Sequence, residues 1–189
     1  MKRKYSNEIT PVDNGSAVAV AGWVHDVRDL GGLRFLLLRD KVGIIQVTLP
    51  KKYIHKEIFE ASGKLVKESV ISVEGEVKAE AKAPGGYEII PSSISVLSTA
   101  AMPLPLDPTG KVFANIDTRL DNRVMDLRRE EIRAIFRVRD AALEAGRQYL
   151  RTNDFIEIHT PRIISTTSEG GTELFPIAYF EKEAFLAQS

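Results

Sequence analysis

Two groups of side chains in this sequence have types and spacings suited to chemistry. The first is Glu169-Gly170-Gly171-Thr172-Glu173. Two glycines let a backbone turn over or approach a ligand closely, and a carboxylate beside them can hold an ammonium group through charge-assisted hydrogen bonds. A plain surface turn would use the same residues. The second group is Phe35 and Gln46, with Arg28 and Arg34 nearby. A flat apolar ring, an amide carrying a donor and an acceptor, and cationic charge are what recognition of an unpaired ribonucleotide requires. The alternative puts Phe35 in a core and both arginines on a solvated face. His25, His55 and His159 lie far apart without metal-ligand spacing. Neither a Walker phosphate loop nor a dinucleotide fingerprint is present. Gln188 and Ser189 carry no chemistry by themselves.

The elements that must position these groups change period along the chain. Residues 17–27 alternate, with Val18, Val20, Gly22 and Val24 set against Ala19, Ala21 and Trp23. Gly31-Gly32 marks a turn before residues 34–40, and Lys41-Val42-Gly43 marks another before residues 44–49. Residues 55–67 fit a helix through Ile58, Phe59, Ser62, Leu65 and Val66. Residues 69–80 and 87–97 return to strand. Three strands, a short helix and two strands is the order of an OB-fold barrel, which binds oligonucleotides across its second and third strands; another small β-barrel is the alternative. Pro103, Pro105, Pro108 and Gly110 rule out a helix or central strand there. The low-apolar stretch to residue 123 extends this linker. Asp126 is then expected to cap a helix with Ile132, Ile135, Phe136, Leu143, Gly146, Tyr149 and Leu150 on one stripe. Asn153 is expected to end that helix in a left-handed turn. Phe155, Ile156 and Ile158 read as an apolar strand leading into Pro161, which breaks or edges it. The divisions are 1–103, 104–130 and 131–189.

The bulk numbers exclude several classes. Of the 189 residues 43% are hydrophobic, enough for a packed core. The 26 basic and 26 acidic residues cancel, so any basic surface is local. With no cysteine, disulfides and thiolate metal sites are excluded. The charged first residues lack the apolar run of a secretory signal, and no stretch approaches the roughly 20 apolar residues that span a bilayer. A cytoplasmic location is the default expectation.

Taken together, these segments resemble the N-terminal part of an archaeal-type aspartyl-tRNA synthetase, a class II aminoacyl-tRNA synthetase. Gly22-Trp23-Val24, Leu30-Gly31-Gly32 and Ile44-Ile45-Gln46-Val47 are similar to its anticodon-binding barrel. Leu104-Pro105-Leu106-Asp107 and the run from Asp117 to Arg123 are similar to its hinge. The helix from Arg129 onward and the segment through Pro161 resemble class II motif 1, the beginning of an α+β antiparallel-sheet catalytic domain.

The resemblance implies roles for individual residues. Phe35 would stack on the central anticodon base and Gln46 would read its edge. Ser168-Glu169-Gly170-Gly171 would close over bound aspartate, with Glu169 and Gln188 contacting its amino group. Motif 1, with Pro161 as its proline, would build a homodimer interface. Discriminating relatives tend to carry Trp and Lys where this chain has His25 and Pro84. Proline offers neither a side-chain donor nor an N–H, so selection at the third anticodon position should relax. That implies an enzyme charging tRNAs for both aspartate and asparagine with aspartate. Its partners would be tRNA, L-aspartate and ATP, with magnesium offsetting phosphate charge during aspartyl-adenylate formation. Motifs 2 and 3 are absent, and a complete catalytic sheet needs roughly 200 more residues. The expectation is therefore a fragment, inactive alone but able to bind an anticodon stem-loop, with ATP and magnesium sites further along. The alternatives are an asparaginyl-tRNA synthetase fragment, or a non-catalytic OB-fold module for RNA or single-stranded DNA.

Overall fold

The computed structural model describes residues 2–165 and 175–187. Packing divides the chain into two units, Met1–Arg133 and Ala134–Ser189. In the first unit five strands close into a barrel: β1 (Ala17–Asp29), β2 (Leu33–Arg39), β3 (Ile44–Pro50), β4 (Val70–Ala79) and β5 (Tyr87–Ser98), in the order β1-β2-β3-β5-β4. β1 returns to pair with β4, and the barrel shuts through a short parallel ladder, Gln46↔Glu88 and Val47↔Ile89. One helix, α1 (Lys56–Ser62), lies between β3 and β4 in the chain. Alternation sends Val18, Val20, Val24, Leu36, Leu38, Ile45, Val47, Ile71, Val73 and Ile89 inward, where Ile9 and Phe59 join them. The Tyr87 hydroxyl donates to the Ser6 carbonyl at 2.9 Å and ties the N-terminal turns to β5. Helix α1 is shorter than its sequence pattern. It stops at Gly63, so Leu65 packs on the core from an irregular segment.

Closure brings strand backbones into contact at two glycines. A Cβ on Gly22 would lie 2.3 Å from the Arg39 carbonyl oxygen, and one on Gly75 would lie 2.3 Å from that of Ile90. Neither neighbour is a flexible side-chain tip, so the strands themselves must move. Gly75→Ala is expected to cost about 2 kcal/mol, the usual penalty of overpacking, read as a lower urea midpoint with unchanged circular dichroism.

The stretch after the barrel is not a plain linker. Leu106 is buried, and residues 116–126 form α2 (Ile116–Asp121) and α3 (Arg123–Asp126). Asn115 caps α2 by accepting from the Thr118 amide at 2.8 Å. Asp126 does not cap the long helix. It closes α3, fully buried, with Arg119 at 3.0 Å, Arg123 at 2.7 Å and Arg129 at 3.7 Å. Three guanidiniums within seven residues make this carboxylate more useful as a charge hub than as a cap. Lys111 reaches back to Asp26 of β1 at 2.7 Å, beside Lys67 at 3.2 Å. Burial raises the Asp26 carboxyl, but hydrogen bonds from Lys111 and Lys67 outweigh it and bring its pKa down to about 2. This lies below the unfolded value of about 3.9. The group therefore stabilises the fold above that value, and the contribution disappears as pH falls to about 2. Asp26→Asn should flatten this part of the acid-unfolding curve, so that its urea midpoint falls less than that of the wild type between about pH 4 and about pH 2.

The second unit begins within α4 (Glu130–Thr152). Of the expected apolar stripe only Ile132 is buried; Ile135, Leu143 and Tyr149 are more than half exposed. The helix stops at Thr152, but its left-handed residue comes one position later than the sequence suggests: Asp154, not Asn153, takes the positive φ of 64°. Phe155 then donates its amide to the Leu150 carbonyl at 3.1 Å, as a left-handed helix stop requires. Residues 155–160 form no strand. A strand needs a ladder, and Glu157 is instead drawn onto the helix by Arg147 at 3.1 Å and Arg151 at 2.9 Å. Pro161 beyond it is exposed and cannot donate. The short strands β6 (Ile163–Ile164), β7 (Pro176–Tyr179) and β8 (Lys182–Leu186) form an antiparallel sheet ordered β6-β8-β7. Among the described residues no helix is long and apolar enough to cross a membrane.

Candidate nucleic-acid interface

The outer face of β1, β2, β3 and β5 carries a cleft of about 580 Å³. A β-bulge decides what faces it. β1 pairs with β2 through Trp23↔Arg39 and Val24↔Leu38, then slips by one residue to Asp26↔Leu37, Val27↔Leu36 and Arg28↔Phe35. The extra residue is His25. After it Val27 turns to the core and Arg28 to the surface, directly opposite Phe35. On the next strand Phe35 faces Thr48, and Leu37 faces Gln46. Phe35 and Gln46 are half-buried, Arg28 is exposed, and all three line the cleft.

Beneath Gln46 a buried carboxylate orders the polar groups. Glu88 accepts from Thr48 Oγ1 at 2.5 Å and from Gln46 Nε2 at 3.2 Å, and pairs with Lys78 at 3.2 Å. Because a carboxylate only accepts, it selects the NH2 side of the Gln46 amide. The amide oxygen keeps no protein partner among the described residues and remains an acceptor for a donor arriving in the cleft. Tyr53, 85% exposed, and Lys82 complete the rim. The sequence reading missed Tyr53, Lys78, Lys82 and Glu88. Glu88 was findable in principle, since its strand pairs with the one bearing Gln46. Tyr53 follows β3 with no periodic signal.

Arg34 does not belong to this face. It is buried on the opposite side of β2, with Nε 3.0 Å from Asp29 Oδ2 and Nη1 2.7 Å from Ser62 Oγ. It also donates to the Phe59 carbonyl and lies 4.2 Å from the Phe59 ring centroid. Alternation along β2 separates it from Phe35, and its guanidinium links α1, through the Phe59 carbonyl and Ser62, to Asp29 at the end of β1.

His25 and Pro84 meet in a second cavity of about 350 Å³, with Arg39, Pro108, Arg128 and Arg133 in its wall. Arg39 joins Glu68 at 2.7 Å and lies 3.0 Å from His25 Nδ1. Glu68, itself buried with a left-handed φ of 67°, also accepts from Arg128. Burial, and then the charge of Arg39, hold the His25 pKa below its ordinary value. Ser168, Glu169 and Gln188, expected at an aspartate site, lie outside the described residues. Among the described residues no three His, Cys, Asp or Glu side chains converge to hold a metal ion.

A closed barrel with a ring-and-amide cleft, followed by a helix and an antiparallel sheet, agrees with what known proteins show. The description "OB-fold nucleic acid binding domain" matches residues 18–97, and "tRNA synthetases class II (D, K and N)" matches residues 115–189. Across both matches the chain is similar to part of the class II aminoacyl-tRNA synthetases. The aspartate–tRNA(Asp/Asn) ligase of Methanopyrus kandleri is 59% identical over 100% of this chain and 44% of its own length. The aspartate–tRNA(Asp) ligase of Pyrococcus horikoshii is 56% identical over 100% of this chain and 43% of its own. Asparaginyl-tRNA synthetase from Pyrococcus horikoshii, solved with asparaginyl-adenylate, superposes with a TM-score of 0.88 at 33% identity, over 100% of this chain and 43% of that one. Within the class, the chain corresponds to the N-terminal part of the archaeal-type aspartyl-tRNA synthetases. The asparaginyl alternative fits less well. The chain spans less than half the length of these relatives.

Removing the buried Arg34 leaves Asp29, the Phe59 carbonyl and Ser62 to find other partners. Arg34→Met should cost about 2 kcal/mol in urea unfolding, and Arg34→Lys should recover little of it, because one ammonium cannot reproduce the planar fork.

Proposed function

We propose that this chain is the tRNA-reading part of an aspartate–tRNA ligase, with the start of its catalytic domain attached. The observation that carries the reading is the cleft shared by Phe35, Gln46 and Arg28 on the outer face of a closed five-strand barrel. In this reading Phe35 stacks on the central anticodon base, the free Gln46 oxygen accepts from its edge, and Arg28 offsets phosphate charge. The division of labour is a barrel over 1–103, a hinge over 104–130 and the beginning of the catalytic domain over 131–189. Ser168, Glu169 and Gln188 bind the aspartate. Its carboxylate attacks the α-phosphorus of ATP and expels pyrophosphate, whose charge a magnesium ion would offset. The terminal ribose hydroxyl of tRNA then attacks the aspartyl carbonyl of the adenylate, takes the aspartyl group and releases AMP. The motif 1 segment around Pro161 serves a homodimer, and the protein works in the cytoplasm. In this reading ATP and magnesium are held outside the described residues.

We further propose that the enzyme accepts the tRNAs for both aspartate and asparagine. Overall identity does not choose, since relatives named for one tRNA and for two are both close, at 56% and 59%. Support comes from Pro84, which shares a cavity with His25 and brings no donor to it.

Fluorescence titration of the 189-residue chain with anticodon stem-loops tests both statements. Phe35→Ala should weaken binding at least about tenfold, the worth of one stacked base. Unchanged affinity, or equal affinity for an unrelated loop, defeats the decoding role. Wild type should bind the aspartate and asparagine loops alike, and Pro84→Lys should favour the aspartate loop by about tenfold. Equal rejection of the asparagine loop by both proteins ends the relaxed-selection reading.

A further inference from the structure

The contact between Arg39 and His25 carries more chemistry than its 3.0 Å length suggests. A guanidinium has only donors, so the atom it faces, His25 Nδ1, must be unprotonated and accepting. The imidazole is then neutral and its single proton is on Nε2. Arg39 cannot turn away easily. Its other end is bound to buried Glu68 at 2.7 Å, and its guanidinium lies 5.8 Å from the Trp23 ring centroid. Glu68 is held in turn by Arg128. His25 is the extra residue of the β1 bulge, the position whose side chain a bulge re-aims. Its ring lines the cavity that also contains Pro84, and Nδ1 is the one ring atom with a hydrogen bond among the described residues. The Nε2–H is left to whatever enters.

We propose that Arg39 is a positioning residue that holds His25 as its Nε2–H tautomer, giving the third anticodon base a donor that cytosine and uracil accept alike. The inference rests on the anticodon reading above and supplies its physical basis at that position. These two pyrimidines separate the aspartate and asparagine tRNAs. They differ at N3 and at the group on C4, where a donor on one is an acceptor on the other, but both carry the acceptor O2. A site that places a second fixed group against N3 or C4 leaves one base with an unmet polar atom and rejects it. Here Pro84 supplies none, Arg39 and Arg128 are committed to Glu68, Arg133 donates to the Lys41 carbonyl at 3.5 Å and the Thr109 hydroxyl to Asp107 at 2.7 Å, while the Glu130 carboxylate, which only accepts, is exposed. A ring N–H with no protein partner among the described residues is satisfied by O2 of either base. Burial and the nearby Arg39 charge also disfavour the imidazolium, so the ring stays in the form this contact requires.

The test uses the 189-residue chain and two readouts. Nitrogen NMR of the labelled imidazoles at neutral pH should show His25 protonated at Nε2 alone; a proton on Nδ1, or on both nitrogens, overturns the assignment. Arg39→Lys keeps a charge for Glu68 but cannot span both partners. It should stay folded by circular dichroism and show a rise in the Nδ1–H form; an unchanged tautomer removes Arg39 from the account. His25→Phe keeps a ring and deletes the donor. It should weaken stem-loops ending in cytosine and in uracil by the same factor, about fivefold. Loss for one loop only, or for neither, refutes the shared O2 contact. Failure of wild type to bind either loop refutes the anticodon reading instead, and the NMR result then decides the tautomer by itself.

Discussion

One inserted residue in β1 sets the layout of both candidate sites. Up to Val24 the strand runs in simple alternation, and continuing it would send Asp26 and Arg28 into the core. The bulge at His25 reverses the phase. Val27 fills the interior in their place, Arg28 emerges across from Phe35, and Asp26 becomes available to Lys67 and Lys111. His25 itself, released from the ladder, serves the second cavity. A single local irregularity thus places a cation on the stacking platform, anchors the segment after the barrel and presents an imidazole. Loss of it would cost all three, in addition to burying a charged residue without a partner.

The chain has equal numbers of acidic and basic residues, and the buried carboxylates show how they are distributed. Glu88 lies under the cleft, Glu68 under the second cavity, and Asp126 under the helices that follow the barrel. Each gathers guanidinium, ammonium or amide donors and fixes their direction. Buried ion pairs add little net stability once desolvation is counted. Their use here is geometric, because each hub aligns side chains that face a cleft or close a turn. Lys78 is paired with Glu88, and the exposed Arg28 and Lys82 stand against Glu80 in the same cleft, so the groove has only a small positive excess within a chain of zero net charge.

The barrel was legible because its signals are local. β-branched alternation, Gly31-Gly32 and the Tyr87 strand each specify their own segment. The long helix was legible from its period. What could not be read depends on which side chains the folded backbone brings together. Asp126 has the residue type of a helix cap, and the geometry of α3 and the turns beside it makes it a hub for Arg119, Arg123 and Arg129. Arg34 and Phe35 are adjacent in sequence, so proximity put both on the RNA face; the period of two puts them on opposite faces. Residues 155–160 have the composition of a strand, but a strand is defined by a neighbour, and the described chain offers them none. Phe35, Gln46 and Arg28 do converge in one cleft, whereas Tyr53 and Lys82 reach it from loops that periodicity does not describe.

The comparison with relatives has the same limit at finer scale. Proteins named for one tRNA and for two are about equally similar to this chain, at 56% and 59% identity. That is the expected result if the choice between two pyrimidines turns on one or two hydrogen bonds. Such a difference is worth about 1–3 kcal/mol and needs only a few atoms. Overall identity is dominated by the core and by turns, which both kinds of enzyme must keep. The informative comparison is therefore the donor and acceptor state of each group lining one small cavity. In this chain that state follows from a guanidinium that can only donate, and from a proline that cannot donate at all.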